Sequence, residues 1–320
     1  MESRRIEILD GWRALSILLV LTGHFIPIGP KNWEMNSAFA LSGLALFFVL
    51  SGFLITRFLL ERQDIPDFLR RRLFRIVPLA WLAMLILAIW NRPDSISLAA
   101  NLLFISNLFP GQLMNGGGHL WSLCVEAQFY VGIALLVALC GRRGLYLLPL
   151  LCVAVTGLRV HADAQIDVAT WLRADEILAG ATLALVCHDE RATAWMRKAP
   201  AILPVLLLIL LLASGRQSAG MLHFVRPYAA ASAVGLSIFA FPAILRRLFT
   251  SRPAAYVASI SYALYVYHGM LAVTWLGSGD MLARYLKRPL LILATFAAAH
   301  VSTRYFERPV LVWGKRRGRR

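Results

Sequence analysis

The sequence has few charged residues and lacks the motifs of several large enzyme classes. Only 16% of its 320 residues are charged, against about a quarter in ordinary soluble domains. It contains no GxSxG, Walker, HExxH or GxGxxG motif. These absences argue against a hydrolase, a nucleotide hydrolase and a metalloprotease.

Cysteine is also scarce, and the four cysteines lie apart within apolar segments, at Cys124, Cys140, Cys152 and Cys187. They form no CxxC pair, and no His-rich cluster accompanies them. The pattern indicates neither a disulfide framework nor a zinc site, and small buried side chains are the simpler interpretation. We expect no metal and no permanently bound cofactor.

Hydrophobic residues, by contrast, make up 59% of the chain and fall in long blocks. This composition is typical of a polytopic membrane protein. The net charge of +16 does not indicate nucleic-acid binding, because the basic residues lie at the ends of the blocks, as topology signals do. The first block has no small-residue cleavage site, so we expect it to remain a spanning helix.

Ten blocks are candidate transmembrane helices, which predicts an all-α bundle of about ten spans. We expect one membrane domain over residues 1–320 with no appended soluble domain. The candidates lie near residues 9–28, 37–60, 76–90, 119–140, 145–160, 168–187, 200–214, 225–245, 254–275 and 289–306.

The distribution of lysine and arginine predicts that both termini are cytoplasmic. Nine of the 33 basic residues fall on the opposite side, namely Lys31, Arg92, Arg159, Arg173, Arg216, Arg226, Arg284, Lys287 and Arg288. The loop from Arg284 to Arg288 runs against the rule. No strong internal repeat suggests an inverted-repeat transporter.

The longest non-cytoplasmic connection, residues 91–118, contains the apolar piece LLFISNLF. It is long for a simple connector and too short to span. A re-entrant element and an amphipathic surface loop both explain it.

The first block carries ionisable residues that are costly in a membrane. The spacing of Asp10 and Arg13 fits an ion pair, with Arg13 as a cytoplasmic anchor. Alternatively, Arg13 forms one end of a ligand site. His24 is 11 residues beyond Arg13, on the same helix face about 16 Å away. A packing role is possible for it, but an imidazole in hydrocarbon favours a functional one.

Two stretches follow that have both a structural and a functional explanation. Ser51 and Gly52 allow close helix packing, or leave room for a ligand beside the first helix. Arg71, Arg72 and Arg75 lie at helical spacing in DFLRRRLFRIVP. A role as a membrane anchor is enough to explain these arginines. Their guanidinium groups, each with several hydrogen-bond donors, would also bind phosphate oxygens.

Later blocks add three polar groups. His119 and Glu126 are two turns apart in the fourth block, and Glu126 needs either a basic partner or a substrate. Arg173, Asp175 and Glu176 begin the sixth block. Tyr262, Tyr265 and Tyr267 fit an interfacial belt, with His268 beside it near the outer boundary.

Together these elements resemble the acyltransferase-3 family, membrane O-acyltransferases that modify polysaccharides and some small glycosides. In the family's order they are Arg13 and His24 as R-x10-H, then FFVLSGFLIT, RRLFRIVP, WSLCVEAQFY, RADEILAGATLA, SYALYVYHG and FERPVLVWGKR. They cover nearly the whole chain. VEAQFY departs from the pattern, since the family commonly has two adjacent acids and only Glu126 is present. We expect no C-terminal extracytoplasmic domain of the kind that some members carry.

The resemblance implies a multi-pass protein of a bacterial-type inner membrane. Its donor would be cytoplasmic acyl-CoA, most often acetyl-CoA, and its acceptor a hydroxyl of a polysaccharide or lipopolysaccharide. A small glycosylated metabolite or lipo-oligosaccharide is the alternative acceptor. A proton-coupled transporter or flippase is the alternative from another class. We expect no nucleic-acid partner, and the oligomeric state is open, a homodimer being one option.

The resemblance also assigns roles to residues. His24 would be the general base or a transient acyl carrier. The expected catalytic set is His24, Glu126, Arg13, Asp10 and His119. The expected acyl-CoA-binding set is Arg71, Arg72, Arg75, Ser51, Gly52 and Arg13. The expected acceptor-binding set is Trp121, Tyr130, Arg173, Asp175 and His268.

Overall fold

A computed structural model describes residues 6–317, with side chains up to residue 314. Within that range the chain is helical and contains no strand. Its helices are α1 Ile8–Phe25, α2 Met35–Glu61, α3 Ile65–Asn91, α4 Ser95–Leu102, α5 Trp121–Cys140, α6 Leu148–His161, α7 Asp175–Val186, α8 Glu190–Met196, α9 Leu203–Ser214, α10 Arg226–Phe239, α11 Ala243–Phe249, α12 Arg252–Ala272, α13 Met281–Ser302 and α14 Arg308–Arg317. The all-α prediction is confirmed for the described residues.

Four helical segments are long and apolar enough to cross a membrane: Ile8–Phe25, Lys31–Glu61, Ile65–Asn91 and Gly118–His161. The pair α10 and α11 passes the same test only when taken together, and it is bent by 101°. The structure thus supports a membrane protein with four such segments. The figure of about ten spans stays a prediction.

Three predicted boundaries were wrong for local reasons. The third helix begins at Ile65 rather than 76, because the side chain of Asp64 accepts a hydrogen bond from the Asp67 amide and Pro66 follows in the first turn. The arginine-rich stretch is therefore part of α3. The eighth block breaks after Phe239, where Pro242 precedes α11. The sixth begins at Asp175, seven residues later than predicted.

The described chain divides into two compact units that are interleaved in sequence. Unit 1 comprises residues up to 62, 142–167 and 174–259, and unit 2 comprises residues 63–141, 168–173 and those from 260 onward. The single membrane domain over residues 1–320 stays a prediction.

Unit 1 is built around α2, which packs against both α1 and α7. Close approach depends on glycine. A Cβ on Gly43 would lie 2.6 Å from the Ser16 carbonyl oxygen of α1. The hydroxyl of Ser16 donates back to the Gly43 carbonyl at 2.7 Å. Small residues at such crossings are typical of membrane helices.

Unit 2 joins α3 to α5, α12 and α14. The Tyr262 hydroxyl of α12 donates to the Ile76 carbonyl of α3 at 2.6 Å. Phe74 of α3 meets Trp313 of α14 edge to face, with ring centroids 5.5 Å apart. These contacts hold α3, which carries the arginine cluster.

The segment 91–118 folds as part of unit 2. It forms α4 and a 3₁₀ turn at Ser106–Leu108. The amide of Asn101, which is 1% exposed, donates to the Ser97 and Gln112 carbonyls. The segment is therefore a packed element. Whether it enters the membrane stays a prediction.

Three of the nine basic residues assigned to the outer side are not surface residues. The arginines at 159, 173 and 226 are all 0% exposed, so they do not act as loop charges. The cytoplasmic prediction also counted Arg4, Arg5, Arg319 and Arg320, which lie outside the described residues.

The prediction that the cysteines are buried is confirmed in part, because Cys124 and Cys152 are buried but Cys140 is exposed.

Candidate functional site

In unit 1, α1 carries its ionisable residues at opposite ends. Arg13 and Asp10 form an ion pair, with Nη1 of Arg13 3.7 Å from Oδ1 of Asp10. This contact agrees with the ion-pair interpretation of the two residues. His24 is the second-last residue of α1, and its side chain is exposed. An exposed imidazole at a helix end is accessible to a reacting group, whereas a packed one would not be.

The expectation that Ser51 and Gly52 leave room for a ligand was wrong for Gly52. A Cβ on Gly52 would lie 1.9 Å from the Ile177 carbonyl oxygen, and one on Gly180 would lie 2.0 Å from the Val49 carbonyl oxygen. The space beside Gly52 is thus filled by the backbone of α7. Helix packing explains this glycine, and the CoA-binding role of Ser51 stays a prediction.

Asp175 and Glu176 take part in two buried ion pairs of unit 1. Asp175 pairs with Arg159, and Glu176 pairs with Arg226, whose Nε lies 2.6 Å from Oε1 of Glu176. Arg226 also contacts Nδ1 of His223 at 3.1 Å. All four charged side chains are 0% exposed. The bond to Arg159 favours a structural role for Asp175, and its expected acceptor-binding role stays a prediction.

In unit 2, the arginine cluster of α3 divides into two parts. Arg70 and Arg71 both bind the Asp67 carboxylate, with Nε of Arg71 2.6 Å from Oδ2. Arg70 and Arg71 thus share one carboxylate on their own helix. Arg72 instead places its guanidinium 5.9 Å from the ring centroid of Tyr130, a cation–π contact.

Arg75 lies in the electrostatic field of Glu307, which follows α13. Burial raises the pKa of Glu307, and Arg75, Arg308 and a bond from the Thr303 hydroxyl at 2.8 Å oppose that rise. Arg72 and Arg75 are thus the two cluster members not bound to Asp67 in the described structure.

Glu126 is linked to Arg72 through Tyr130. It is 3% exposed and accepts a hydrogen bond from the Tyr130 hydroxyl at 2.5 Å. Its charge acts favourably on Arg72. The structure therefore supplies the basic partner that a buried carboxylate needs, through a chain from Glu126 to Tyr130 to Arg72. This geometry suits a positioning role for Glu126, and its catalytic role stays a prediction.

His119 and His268 form a second polar centre in unit 2. Their ring centroids are 4.5 Å apart. Nε2 of His119 donates to the Val266 carbonyl at 3.1 Å, and Nδ1 of His268 donates to the Tyr265 carbonyl at 2.6 Å. Because a carbonyl only accepts, each bond fixes which ring nitrogen carries hydrogen.

Tyr265 connects this centre to the start of α5. Its hydroxyl donates to the His119 carbonyl at 2.6 Å, so the Ser122 hydroxyl, also 2.6 Å away, must be the donor in their shared bond. Tyr265 is 4% and Tyr262 is 7% exposed. The interfacial-belt interpretation was wrong for both tyrosines. His119 itself precedes α5, in a 3₁₀ turn.

Arg173 and Trp121, two of the residues expected to bind the acceptor, are in contact with each other. The Arg173 guanidinium lies 5.6 Å from the Trp121 ring centroid. Gln128 of α5 reaches the same side of unit 2, where it binds Asn107 at 2.9 Å and Thr170 at 2.6 Å. Asn107 was not selected from the sequence, although a buried-type amide within LLFISNLF was a usable signal.

The fold and these sites define a class: an all-helical membrane protein with buried ion pairs and histidine, arginine and glutamate side chains on apolar helices. The acyltransferase-3 family model, described as an acyltransferase domain, matches residues 6–303. The chain belongs to this family.

Two curated relatives carry names that describe their activity. One is "Peptidoglycan O-acetyltransferase OatA" of Listeria monocytogenes, 26% identical over 316 residues, covering 81% of this chain and 48% of the relative. The other is "Putative peptidoglycan O-acetyltransferase YrhL" of Bacillus subtilis, 31% identical over 231 residues, covering 59% of this chain and 34% of the relative. The chain spans about half the length of these relatives or less. No solved structure is significantly similar to it.

Proposed function

We propose that the protein is a membrane O-acetyltransferase that moves an acetyl group from acetyl-CoA to a hydroxyl of a cell-envelope glycan. The family match over residues 6–303 carries this proposal. The exposed imidazole of His24 at the end of α1 supports it, because the acceptor needs a base that it can reach.

His24 takes the proton from the acceptor hydroxyl as its oxygen attacks the thioester carbonyl. The carbon–sulfur bond then breaks, and the CoA sulfur leaves with the proton returned by the imidazolium. Imidazole is the side chain best suited to accept and return a proton near neutral pH. A covalent acetyl-imidazole, formed with loss of CoA and then attacked by the hydroxyl, is the alternative route.

Arg72 and Arg75 are assigned to the phosphates of CoA. Arg71 shares the Asp67 carboxylate with Arg70, so the proposal gives the phosphates first to Arg72 and Arg75. Guanidinium groups bind phosphate oxygens through paired donors. The proposal places these arginines, and both chain termini, on the cytoplasmic side of an inner membrane crossed about ten times.

The acceptor is a polymer rather than a small glycoside in this proposal. Sequence reasoning favoured a polysaccharide or lipopolysaccharide, and the names of the two relatives favour peptidoglycan among the polymers. His119, His268, Trp121 and Arg173 in unit 2 are assigned to the acceptor.

Membranes containing the protein, given acetyl-labelled acetyl-CoA, test the function. We expect alkali-labile label in the peptidoglycan fraction, because oxygen esters are cleaved by base. Label in lipopolysaccharide or in a small glycoside would change the acceptor. Uptake of a solute without any label transfer, as a proton-coupled transporter predicts, would contradict the function itself.

A further inference from the structure

Unit 1 contains an apolar groove that the proposed reaction does not use. It has a volume of about 370 Å³ and lies between α6, α7 and α10, with the end of α8 closing one side. Ala179, Leu183, Ala231 and Leu236 are among its lining residues. It opens to the surface, since Val153 in its wall is 60% exposed.

Most polar atoms in the lining are already bonded within the protein. The Thr182 hydroxyl donates to the Leu178 carbonyl at 2.9 Å, and the Tyr228 hydroxyl donates to Thr156 at 2.9 Å. The Cys152 thiol donates to a backbone carbonyl of α7. A sugar or a nucleotide would therefore leave its own polar groups unsatisfied there, whereas a hydrocarbon chain would not.

The shape of the groove suits a chain. On α10 its lining extends from Tyr228 to Leu236, which is about 12 Å at 1.5 Å per residue. This makes an elongated slot on the surface of a helix bundle, and it matches a segment of an extended acyl chain.

Cations stand at the end of the groove marked by Met196 and Leu236. The Arg197 guanidinium lies 5.5 Å from the ring centroid of Phe239, one turn beyond Leu236, and Nζ of Lys198 lies 5.4 Å from the Trp195 ring centroid. Both basic side chains are exposed. The acidic residues of α8 lie at its other end, where Asp189 caps the Ala192 amide.

We propose that this groove binds one acyl chain of an anionic phospholipid, with the headgroup phosphate at Arg197 and Lys198. The apolar wall accepts the chain, and the two cations select the headgroup. Basic residues at the cytoplasmic surface are attracted to anionic lipid in the same way. The site is separate from the residues assigned to acetyl transfer and does not depend on that reaction.

Native mass spectrometry of the full-length protein tests whether the groove binds an acyl chain. The protein is purified in detergent with equal amounts of phosphatidylglycerol and phosphatidylcholine. We expect one phosphatidylglycerol to be retained. Ser232→Phe places a ring in the groove from an exposed position and should abolish retention. Leu206→Phe, on exposed α9 surface, is the matched control and should retain the lipid.

A second pair of variants tests the headgroup part. Each cation near an anionic lipid supplies about a fivefold preference. Arg197→Gln with Lys198→Gln should therefore lower the preference for phosphatidylglycerol over phosphatidylcholine by about 25-fold. Arg62→Gln with Arg252→Gln, two exposed arginines elsewhere in unit 1, should leave it unchanged.

Four results would overturn the proposal, the first three with phospholipids or glycerol phosphate as probes. These three are equal retention of the two lipids by the unaltered protein, retention of phosphatidylglycerol by Ser232→Phe, and displacement of the lipid by glycerol phosphate alone. Preferential retention of a long-chain acyl-CoA or a polyprenyl phosphate over phosphatidylglycerol would also refute it, because the groove would then serve another ligand.

Discussion

The packing of His119 against α12 depends on a glycine. A Cβ added at Gly269 would lie 2.1 Å from Nδ1 and 2.3 Å from Cε1 of the His119 ring. Ordinary van der Waals contact begins near 3.4 Å, so Gly269→Ala must displace the ring by about 1.3 Å. The same ring packs against His268, with ring centroids 4.5 Å apart, and its Nε2 is bonded to the Val266 carbonyl.

The expected loss of stability in Gly269→Ala follows from these contacts. Overpacking a well-filled position costs about 1–3 kcal/mol, and loss of the bond from His119 to Val266 costs about 1 kcal/mol more. Alanine gains about 1 kcal/mol over glycine within a helix, which offsets part of the loss. We expect Gly269→Ala to lower the free energy of unfolding by about 1–3 kcal/mol.

Gly132→Ala is the matched control. It lies within α5 of the same unit, and a Cβ there would meet no atom within 4 Å. We expect it to be neutral or slightly stabilising. Denaturant unfolding in detergent, followed by far-UV circular dichroism, measures both variants. Equal stability of the two alanine variants would refute the packing argument.

Three further substitutions test other parts of the structure. Gly52→Ala places a Cβ 1.9 Å from a backbone carbonyl oxygen of α7, so it should destabilise unit 1 by about 3 kcal/mol; wild-type unfolding would contradict this. Asp175→Asn leaves Arg159 as an uncompensated buried charge and should lower the free energy of unfolding by about 3–5 kcal/mol. Asp175→Leu with Arg159→Met should lower it less, and the reverse order of stability would count against a structural ion pair. Glu126→Gln removes the charge that acts on Arg72 and should raise KM for acetyl-CoA severalfold with a smaller change in kcat; a fall in kcat at constant KM would place Glu126 in the chemistry instead.

Much of the fold was predictable because hydrophobic blocks encode helices directly. Each of the ten blocks contains a helix in the structure. Two boundary errors were avoidable, since Asp64 followed by Pro66 is a recognisable helix start. Pro242 likewise marks the break between α10 and α11.

Tertiary partners were not predictable from the sequence. Tyr262 and Tyr265 look like belt residues until their acceptors are known, and those are the carbonyls of Ile76 and His119. The ion pair of Asp175 with Arg159 joins two different helices, so the sequence did not reveal it. Spacing along one helix carries no information about such pairs.

Some features of α1 and α3 were predictable from the sequence alone. Ionisable groups in apolar blocks are detectable from residue type alone, and the ion pair of Asp10 with Arg13 follows from their spacing. Which arginines of α3 would bind a carboxylate on the same helix depended on the rotamers of Arg70 and Arg71. Their bonds to Asp67 are visible only in the structure.

Transfer of label by a His24→Ala variant tests the central claim most directly. His161→Ala is the matched control, because His161 is also an exposed histidine in the last turn of its helix, α6. With equal amounts of folded protein in the membrane, His24→Ala should abolish alkali-labile label transfer from acetyl-CoA, and His161→Ala should leave it unchanged. Full transfer by His24→Ala would contradict the account.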